Sequence, residues 1–562
     1  MSLAFTATRR ASPVAAAAAF ASVSPLTNRT ITTAHTTPRP NLRDAVLPLA
    51  DDPANDVVFD SVYGLRTIVL NRPAKLNALS GSMIRKIVPR LAEWEKSELA
   101  SVVVIKGALG KAAAFCAGGD VVALAEQNAK DPVQGPQRSA EYFANEYRLN
   151  HLIATYKKPY IALINGVTMG GGVGLSIHAP LRIATEKTVF AMPETTIGFF
   201  PDVGASFFLP RLNGAIGRYL ALTSDRLAGA SALYAGIATH YMHSDTIPML
   251  EQRLAELRFH DYDPLADRLR LVADTIEEFT ASLPSHQDFP LQGSLRRAID
   301  RCFSHATIPE IMAELHRVVR EGEVPTAELP KELKYTRAVR TWALAQIATL
   351  EKRSPTALHA TARLLFENRT ASLTTCFKRE HALASRFMRH PDFATGVVTQ
   401  LMHRKLRNAT SPENEPEKLS WSPPSLAACP PPHVITQPLF SPAKEKLLLF
   451  TRADYYMSPH EHIALPTERW LRKRLLAMAE DDEKRKALRQ VADVVDFVVE
   501  ERGYRQGIRE VVREMAKRCL RFLPEGGVEW TGGDVDIVLD DEPIPDENTG
   551  NEEQTSSQEP IQ

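Results

Sequence analysis

The stretch YIALINGVTMGGGVGLSIHA, residues 160–179, joins an apolar strand-like run to a glycine-rich turn and a predicted helix start. Glycines let the backbone approach a ligand, and the first N–H groups of a helix have no partner within the helix. Similar apolar runs occur at 67–71 (TIVLN) and 101–107 (SVVVIKG), and they alternate with helical stretches to about residue 245. Buried strands that alternate with helices predict an α/β layer architecture.

The composition is that of a globular chain with more than one domain. A length of 562 residues exceeds one ordinary core, and the contents of 44% hydrophobic and 24% charged residues are typical. No apolar run is long enough to cross a bilayer, so we predict no membrane span. The net charge of zero gives no bulk attraction to nucleic acid or anionic membranes. The five cysteines are widely spaced, which fits a reducing compartment.

The two ends differ from the rest of the chain. Residues 1–43 contain arginines, alanines, serines and threonines but no acid, which predicts a mitochondrial transit peptide and a location in the matrix. A short secretory segment (PVAAAAAFA) and a plain disordered tail are the alternatives. Residues 536–562 are acidic and polar, and we predict that they are disordered.

Between the ends, the pattern divides the chain into four parts. We predict a catalytic core over 54–250, a helical lobe over 251–422, a Pro-rich linker over 423–438 and a mainly helical, basic extension over 439–535. Within the lobe, Ser354 can cap a helix whose first residue is Pro355.

Two carboxylates follow the glycine run, Glu194 and Asp202 in AMPETTIGFFPDVG (191–204). A second loop, AFCAGGD at 114–120, also follows a strand, and we predict that the N–H groups of Gly119 and Gly171 form a two-donor oxyanion hole. One such donor contributes about 3 kcal/mol to transition-state stabilisation. Dinucleotide, P-loop and nucleophile-elbow patterns do not fit these glycines. A carboxylate beside such donors is suited to acyl chemistry.

Five motifs resemble the enoyl-CoA hydratase/isomerase (crotonase) superfamily and, within it, the 3-hydroxyisobutyryl-CoA hydrolases. They are LNRPAKLNAL (70–79), AFCAGGD (114–120), KPYIALINGVTMGGGVGLS (158–176), MPETTIGFFPDVGASFFLPRL (192–212) and AGIATHY (235–241). The resemblance implies a crotonase-like spiral of ββα units followed by a helical lobe, to which this chain adds its extension. It also implies hydrolysis of the thioester of 3-hydroxyisobutyryl-CoA in valine breakdown.

The resemblance assigns roles to single residues. A hydratase of this superfamily needs a glutamate three residues after the middle glycine of GGG, where this chain has Gly174. The second glutamate is retained as Glu194, which would activate water or attack the thioester itself, and Asp202 would orient the substrate. Glu146 matches a further substrate-binding glutamate that can meet the 3-hydroxyl group.

Other expectations concern ligands. Lys75, Asn77, Ala78 and Leu79 lie where the superfamily wraps the CoA nucleotide. His240 and His243 have helical spacing but no third ligand nearby, so we predict no metal. CoA is part of the substrate, and we predict no separate cofactor.

Two departures favour a second hypothesis. The segment DFATGVVTQLMHRK (392–405) differs from the hydrolases at Thr395, Val398 and 402–404, so that a charged cluster of theirs is missing, which weakens any carry-over of their oligomer contacts. The extension is longer than a hydrolase requires, and its arginines and lysines could contact RNA phosphates, or could lie on a solvated helical face. Because some mitochondrial small ribosomal subunits contain a homologue of this hydrolase, ribosomal membership is the alternative function.

Overall fold

The computed structural model describes residues 46–532 except 261, 281, 285–288, 323–336, 403–419, 443–445 and 479–480. The predicted transit peptide and acidic tail lie outside the described residues. The strands are β1 Val57–Val62, β2 Leu65–Leu70, β3 Val102–Gly107, β4 Ala114–Ala117, β5 Tyr160–Ile164, β6 Val167–Met169, β7 Leu181–Ala184, β8 Val189–Ala191, β9 Leu227–Ala228, β10 His240–Tyr241, β11 Leu520–Phe522 and β12 Val528–Trp530.

The helices of the core and the lobe are α1 Gly81–Lys96, α2 Val121–Lys130, α3 Gly135–Ala154, α4 Gly171–Ser176, α5 Ala205–Phe208, α6 Ile216–Thr223, α7 Ser231–Tyr234, α8 Ile247–Glu256, α9 Leu265–Glu277, α10 Gly293–Phe303, α11 Ile308–Glu321, α12 Arg337–Leu350, α13 Pro355–Asn368, α14 Leu373–Phe387 and α15 Pro391–Val397. Those that follow are α16 Pro432–Phe440, α17 Glu468–Ala477, α18 Asp482–Ala487, α19 Val491–Arg502 and α20 Ile508–Cys519.

The strands form two main sheets, and from β3 to β8 successive strands alternate between them. The larger sheet has the order β1-β2-β3-β5-β7-β10, and the smaller one has the order β4-β6-β8-β9. Each of β3, β5 and β7 lies in the larger sheet, and the next strand along the chain lies in the smaller one. Apart from the β1–β2 and β8–β9 pairs, neighbouring strands in both sheets run parallel. This arrangement confirms the predicted spiral of ββα units and the three strand predictions.

The larger sheet is buried on both faces, as parallel sheets usually are. Successive residues of β3 point to opposite sides. Val103 and Ile105 belong to the main core with α1, whereas Val102 and Val104 pack in a second cluster with α8 and α9. The larger sheet is therefore a buried base, whereas the loops that carry the site follow β4, β6 and β8 of the smaller sheet.

The helical lobe closes over the core. Helix α14 packs against α3, and α15 packs against α2. Ser354 caps α13 as predicted, because its hydroxyl accepts a hydrogen bond from the N–H of Ala357 at 3.0 Å. In this way the lobe brings residues from beyond position 370 to the elements that carry the site.

The Pro-rich segment is not a plain linker. Helix α16 begins at Pro432, inside the predicted linker 423–438, and Leu439 at its end is buried in the main core. Proline suits the first turn of a helix because the N–H groups there have no helical partner. Residues 432–438 of the predicted Pro-rich linker are therefore helical, and the linker boundaries stay a prediction.

The extension also packs onto the main core. Leu447, Leu465, Leu471 and Val494 are buried in the same apolar cluster as the catalytic core. A buried ion cluster adds to this contact: Glu468 of α17 accepts hydrogen bonds from Arg518 of α20 and, at 2.8 Å, from Arg296 of the lobe. The described part of the extension is therefore attached to the lobe and the core along much of its length.

Candidate active site

The two predicted oxyanion donors lie side by side. Gly119 pairs with Leu79 in an isolated parallel bridge, in which the N–H of Leu79 donates to Gly118 and the N–H of Asp120 donates to Leu79. Gly171 is the first residue of α4, so helical bonding leaves its N–H unused. A Cβ at Gly171 would stand 3.2 Å from the Gly119 nitrogen. Within the described chain, neither N–H has a protein acceptor. Both N–H groups are therefore close together and unused by the described chain.

Close packing of α4 against β4 explains the glycine run. A Cβ at Gly172 would lie 2.2 Å from the carbonyl oxygen of Cys116, a distance that no side chain tolerates. Gly170 has a φ of 43°, in the left-handed region that favours glycine. These residues let the start of α4 reach the loop that carries Gly119.

Three carboxyl groups surround these donors. Glu146 comes from α3, Glu194 begins a 3-10 helix over Glu194–Ile197, and Asp202 follows the next turn; all three are buried. Glu146 Oε1 lies 2.5 Å from the point where a Gly171 Cβ would project, and Glu194 Oε1 lies 3.0 Å from the corresponding point of Gly170. The structure thus brings Glu146, Glu194 and Asp202 to one buried site.

The cluster cannot hold three negative charges. Burial, and then the charge of Asp202, raises the pKa of Glu194 well above its ordinary range, and burial with both neighbouring carboxylates does the same to the pKa of Glu146. Burial raises the pKa of Asp202 to about 7, although the Tyr147 hydroxyl, which donates to Asp202 Oδ2 at 2.7 Å, acts in the opposite direction. The negative charge of Asp202 therefore opposes ionisation of both glutamates.

A fourth carboxyl group supports the loop that carries Asp202. Glu380 of α14 accepts hydrogen bonds from the N–H groups of Gly204 (2.7 Å) and Ser206 (2.9 Å) and from the Ser206 hydroxyl. Burial raises its pKa to about 8. The His178 ring also contacts the carbonyl of Val203 at 2.8 Å, where the backbone has a φ of 57°. Sequence reasoning misses Glu380 because it lies more than 170 positions away along the chain.

Two further polar residues border the site. Tyr142 donates to the Leu79 carbonyl at 3.1 Å, beside Gly119. Asn150 is fully buried, and neither atom of its carboxamide has a hydrogen-bond partner in the described chain. Sequence reasoning singles out neither of them. The one signal for both is spacing, since each lies one helical turn from Glu146.

Comparisons with known proteins agree with this geometry. The family model described as enoyl-CoA hydratase/isomerase matches residues 65–434, about two thirds of the chain. The chain belongs to the enoyl-CoA hydratase/isomerase family. Its structure is similar to a carnitinyl-CoA dehydratase from Mycobacterium thermoresistibile (TM-score 0.54, 29% identity, covering 70% of this chain and 98% of that one). It is also similar to an enoyl-CoA hydratase from Rhodobacter sphaeroides (TM-score 0.53, 29% identity, 69% and 97%).

Curated relatives of this family member fall into two groups. A small ribosomal subunit protein, mS47, from Neurospora crassa is 46% identical over 486 residues, which cover 86% of this chain and 89% of that protein. The mitochondrial 3-hydroxyisobutyryl-CoA hydrolase of Danio rerio is 42% identical over 366 residues (65% and 86%), and the human enzyme of the same name is 39% identical over 354 residues (63% and 83%). The longer match necessarily extends into the segment after residue 438.

Gly174 occupies the position where a hydratase of this family needs a glutamate, and its surroundings leave no space for one. A Cβ at this position would stand 2.8 Å from both carboxamide atoms of Asn150 and 2.8 Å from Cβ of Val203. No side chain fits there without displacing its neighbours. The Asn150 side chain of α3 instead occupies the space beside Gly174.

The residues predicted to wrap CoA have mixed surroundings. The Asn77 side chain is buried; it donates to the carbonyls of Ala108 and Ala114 and accepts from the N–H of Arg72. Its predicted contact with CoA is therefore not supported, because these bonds use its polar atoms to hold the loop. Lys75 is exposed and pairs with Asp120 at 3.0 Å.

The backbones of Ala78 and Leu79 are occupied as well. Arg72 donates to the Ala78 carbonyl at 2.6 Å, and the Leu79 carbonyl accepts from Asp120 and Tyr142. Binding of CoA by Lys75, Ala78 and Leu79 stays a prediction.

The segment 392–405, which differs from the hydrolase sequences, packs against the turn that begins at Glu194. A Cβ at Gly198 would meet the Asp392 carbonyl at 2.2 Å, and one at Gly396 would meet the Ile197 carbonyl at 2.3 Å. Asp392 is buried and accepts hydrogen bonds from Ser354 and from the N–H of Ser422. The first part of this segment thus supports the Glu194 turn without the missing charges. Its last residues, 403–405, lie outside the described chain.

The two histidines do not converge on one ligand. His240 Nε2 lies 3.6 Å from Glu277, whereas His243 Nδ1 lies 3.7 Å from Glu186. Within the described residues no group of three His, Cys, Asp or Glu side chains is placed to hold a metal ion. Over the same part of the chain, no helix combines the length and apolar character that a membrane crossing requires.

Proposed function

We propose that the protein hydrolyses the thioester of a short 3-hydroxyacyl-CoA, namely 3-hydroxyisobutyryl-CoA, to the free acid and CoA. The observation that carries the proposal is the buried cluster of Glu146, Glu194 and Asp202 around the N–H groups of Gly119 and Gly171. The relatives named as hydrolases of this thioester support the choice of substrate. CoA enters as part of the substrate, and the reaction needs no other cofactor.

The oxyanion hole supplies the electrostatic part of catalysis. The thioester oxygen accepts hydrogen bonds from Gly119 and Gly171, and these bonds strengthen as negative charge develops on that oxygen. Water bonds to the carbonyl carbon, the carbon–sulfur bond breaks, and CoA leaves as a thiol with one proton. In the alternative route, a Glu194 oxygen bonds to the carbonyl carbon, the carbon–sulfur bond breaks and CoA leaves; water then cleaves the resulting anhydride, which frees the acid and Glu194 and supplies the proton of the thiol.

The carboxyl cluster moves the protons. Glu194 lies beside Gly170 at the oxyanion hole, so it is the group placed to take a proton from water or to attack. Its raised pKa means that it must first lose its own proton. Burial and the charge of Asp202 contribute to this raised pKa, so the ionised Glu194 is a stronger base toward water.

A thiol-release assay tests this proposal. Purified protein is expected to release free CoA from 3-hydroxyisobutyryl-CoA, and Glu194→Gln is expected to lower kcat by at least about 10²-fold, the usual contribution of a positioned proton-transfer group. The matched control is Glu141→Gln, an exposed carboxylate on α3, which should leave the rate unchanged. Full activity in Glu194→Gln would overturn the assignment.

Mass spectrometry separates the two routes. If Glu194 attacks, rapidly quenched enzyme should carry an acyl group on the peptide that contains Glu194. If Glu194 acts as a base, the quenched enzyme should have its unmodified mass while product accumulates at the same rate.

A second function, membership of the mitochondrial small ribosomal subunit, is favoured by a separate observation. The match to the Neurospora crassa ribosomal protein extends beyond the region shared with the hydrolases. The extension offers a limited basic surface, because Arg469, Arg474 and Arg509 pair with carboxylates of the extension itself. Arg513 and Lys517 are exposed on α20 and are the better candidates for phosphate contacts.

Gradient sedimentation of a mitochondrial lysate tests this second function. A ribosomal component should sediment with the small subunit, and the double variant Arg513→Glu, Lys517→Glu should move toward the top of the gradient as salt is raised. Detection only at the top at low salt would exclude stable membership.

The relatives named as hydrolases are mitochondrial, and we propose the matrix as the compartment. Protease protection of the protein in isolated mitochondria after rupture of the outer membrane would test that location.

A further inference from the structure

Asn150 is a buried polar residue that the proposed mechanism does not use. Its side chain is fully buried, and neither its Nδ2 nor its Oδ1 has a hydrogen-bond partner among the described residues. Leaving such a group unpaired costs about 1–3 kcal/mol. A residue of this kind in an active site is suited to bind a polar group of the ligand.

The position of Asn150 follows from two adjacent helices. Glu146 and Asn150 are four positions apart on α3, so they share one face and are separated by about 6 Å along the axis. They meet Gly171 and Gly174, which are three positions and about 4.5 Å apart on α4. The carboxamide therefore lies about one helical turn beyond the oxyanion hole.

That distance matches the acyl group. With the thioester oxygen at Gly119 and Gly171, carbon 3 lies two carbon–carbon bonds of about 1.5 Å each from the thioester carbon, and a hydrogen bond from its hydroxyl group adds about 2.8 Å. A hydroxyl group on carbon 3 can both donate and accept, and a carboxamide offers one acceptor and two donor hydrogens. Gly174 and Val203, which adjoin the carboxamide on one side, have no polar side-chain atoms.

We propose that the Asn150 carboxamide binds the hydroxyl on carbon 3 of the acyl group and thereby selects 3-hydroxyacyl thioesters over their unsubstituted analogues. This inference rests on the proposed thioester chemistry and adds a specificity residue to it. Glu146, one turn earlier, lies closer to the thioester oxygen. A substrate that lacks the hydroxyl leaves the buried carboxamide unpaired, which is the arrangement that discriminates most strongly.

The test compares 3-hydroxyisobutyryl-CoA with isobutyryl-CoA. The unaltered protein should hydrolyse the hydroxylated thioester with a kcat/KM at least about 10²-fold higher than that for isobutyryl-CoA. Asn150→Leu, in which the new side chain has a similar volume, should reduce this ratio of kcat/KM values at least about tenfold. Asn150→Ala is the second variant in case leucine prevents folding. Asn145→Ala, on an accessible face of the same helix, is the control and should keep the ratio. An unchanged ratio in the Asn150 variants, or an equal loss on both substrates, would overturn the proposal.

Binding measurements keep this test separate from the hydrolase proposal. Calorimetry on the Glu194→Gln protein, with and without Asn150→Leu, gives dissociation constants for the two thioesters in the absence of turnover. The preference for the hydroxylated thioester should again fall at least about tenfold. If the unaltered protein releases no CoA but this fall is seen, the hydrolysis proposal fails and the role of Asn150 stands. Equal affinities for both thioesters in the protein that retains Asn150 would overturn that role.

Discussion

Asp202→Asn should stabilise the protein, by an amount that grows with pH. The folded structure raises the pKa of Asp202 from 3.8 to about 7, so the folded state holds a proton that the unfolded state has lost between these two pH values. Stability falls by 1.36 kcal/mol per pH unit over that interval, and at pH 7 and above the cost reaches about 4 kcal/mol. Asparagine removes the cost because it is neutral and can still accept from Tyr147.

The expected change in the free energy of unfolding is large enough to be measured as a change in Tm. An unfolding entropy of about 2.1 cal/mol/K per residue gives about 1 kcal/mol/K for a folded body of this size. The Tm of Asp202→Asn should therefore exceed that of the unaltered protein by about 1 °C at pH 4.5 and about 4 °C at pH 8. Thermal melts monitored by circular dichroism at both pH values measure the two differences.

Asp120, a carboxylate whose pKa is shifted in the opposite direction, provides the control. Arg72 and Lys75 lower the pKa of Asp120, although burial acts the other way, so its stabilising contribution is fully present above about pH 4. Asp120→Asn should lower the Tm by an amount that stays constant from pH 5 to pH 8. If Asp202→Asn destabilises the protein equally at both pH values, or if its gain shrinks as the pH rises, the explanation of the raised pKa is wrong.

Three further predictions concern rate, fold and assembly. The kcat/KM for thioester hydrolysis should rise with pH, since Glu194 must lose its proton before it can act and burial with the charge of Asp202 raises its pKa, and Glu194→Gln should abolish this rise in a pH–rate profile. Gly174→Glu should cost about 1–3 kcal/mol by overpacking against Asn150, seen as a lower Tm, without hydration of crotonyl-CoA in an absorbance assay. Arg518→Met should cost about 3–5 kcal/mol by leaving Glu468 with one arginine fewer, and limited proteolysis should then cut the extension first.

The catalytic core was predictable because its determinants are local in the sequence. Apolar runs bounded by glycine turns specify strands, and the glycines at 118–119 and 170–172 allow approaches that only a missing side chain permits. Glu194 and Asp202 belong to one short motif, so their meeting needed no knowledge of distant contacts.

The surroundings of the carboxyl groups could not be predicted in the same way. Glu380 holds the loop of Asp202 from a helix more than 170 residues away, and Tyr147 reaches Asp202 across 55 positions. Asn77 appeared in a motif typical of CoA binding, yet the structure uses its side chain to hold backbone carbonyls. No periodicity or spacing reports such partners.

The extension shows the same limit on a larger scale. Its sequence reads as a basic helical segment after a proline-rich linker, but apolar side chains such as Leu471 and the pairing of Glu468 with Arg296 attach it to the core and the lobe. Sequence alone determined the strands, the glycine turns and the two carboxylates of one motif, because each depends on a few neighbouring residues. Only the tertiary structure decided which charges are paired, which pKa values rise and which buried groups await a ligand, because burial and pairing depend on residues that are distant in sequence.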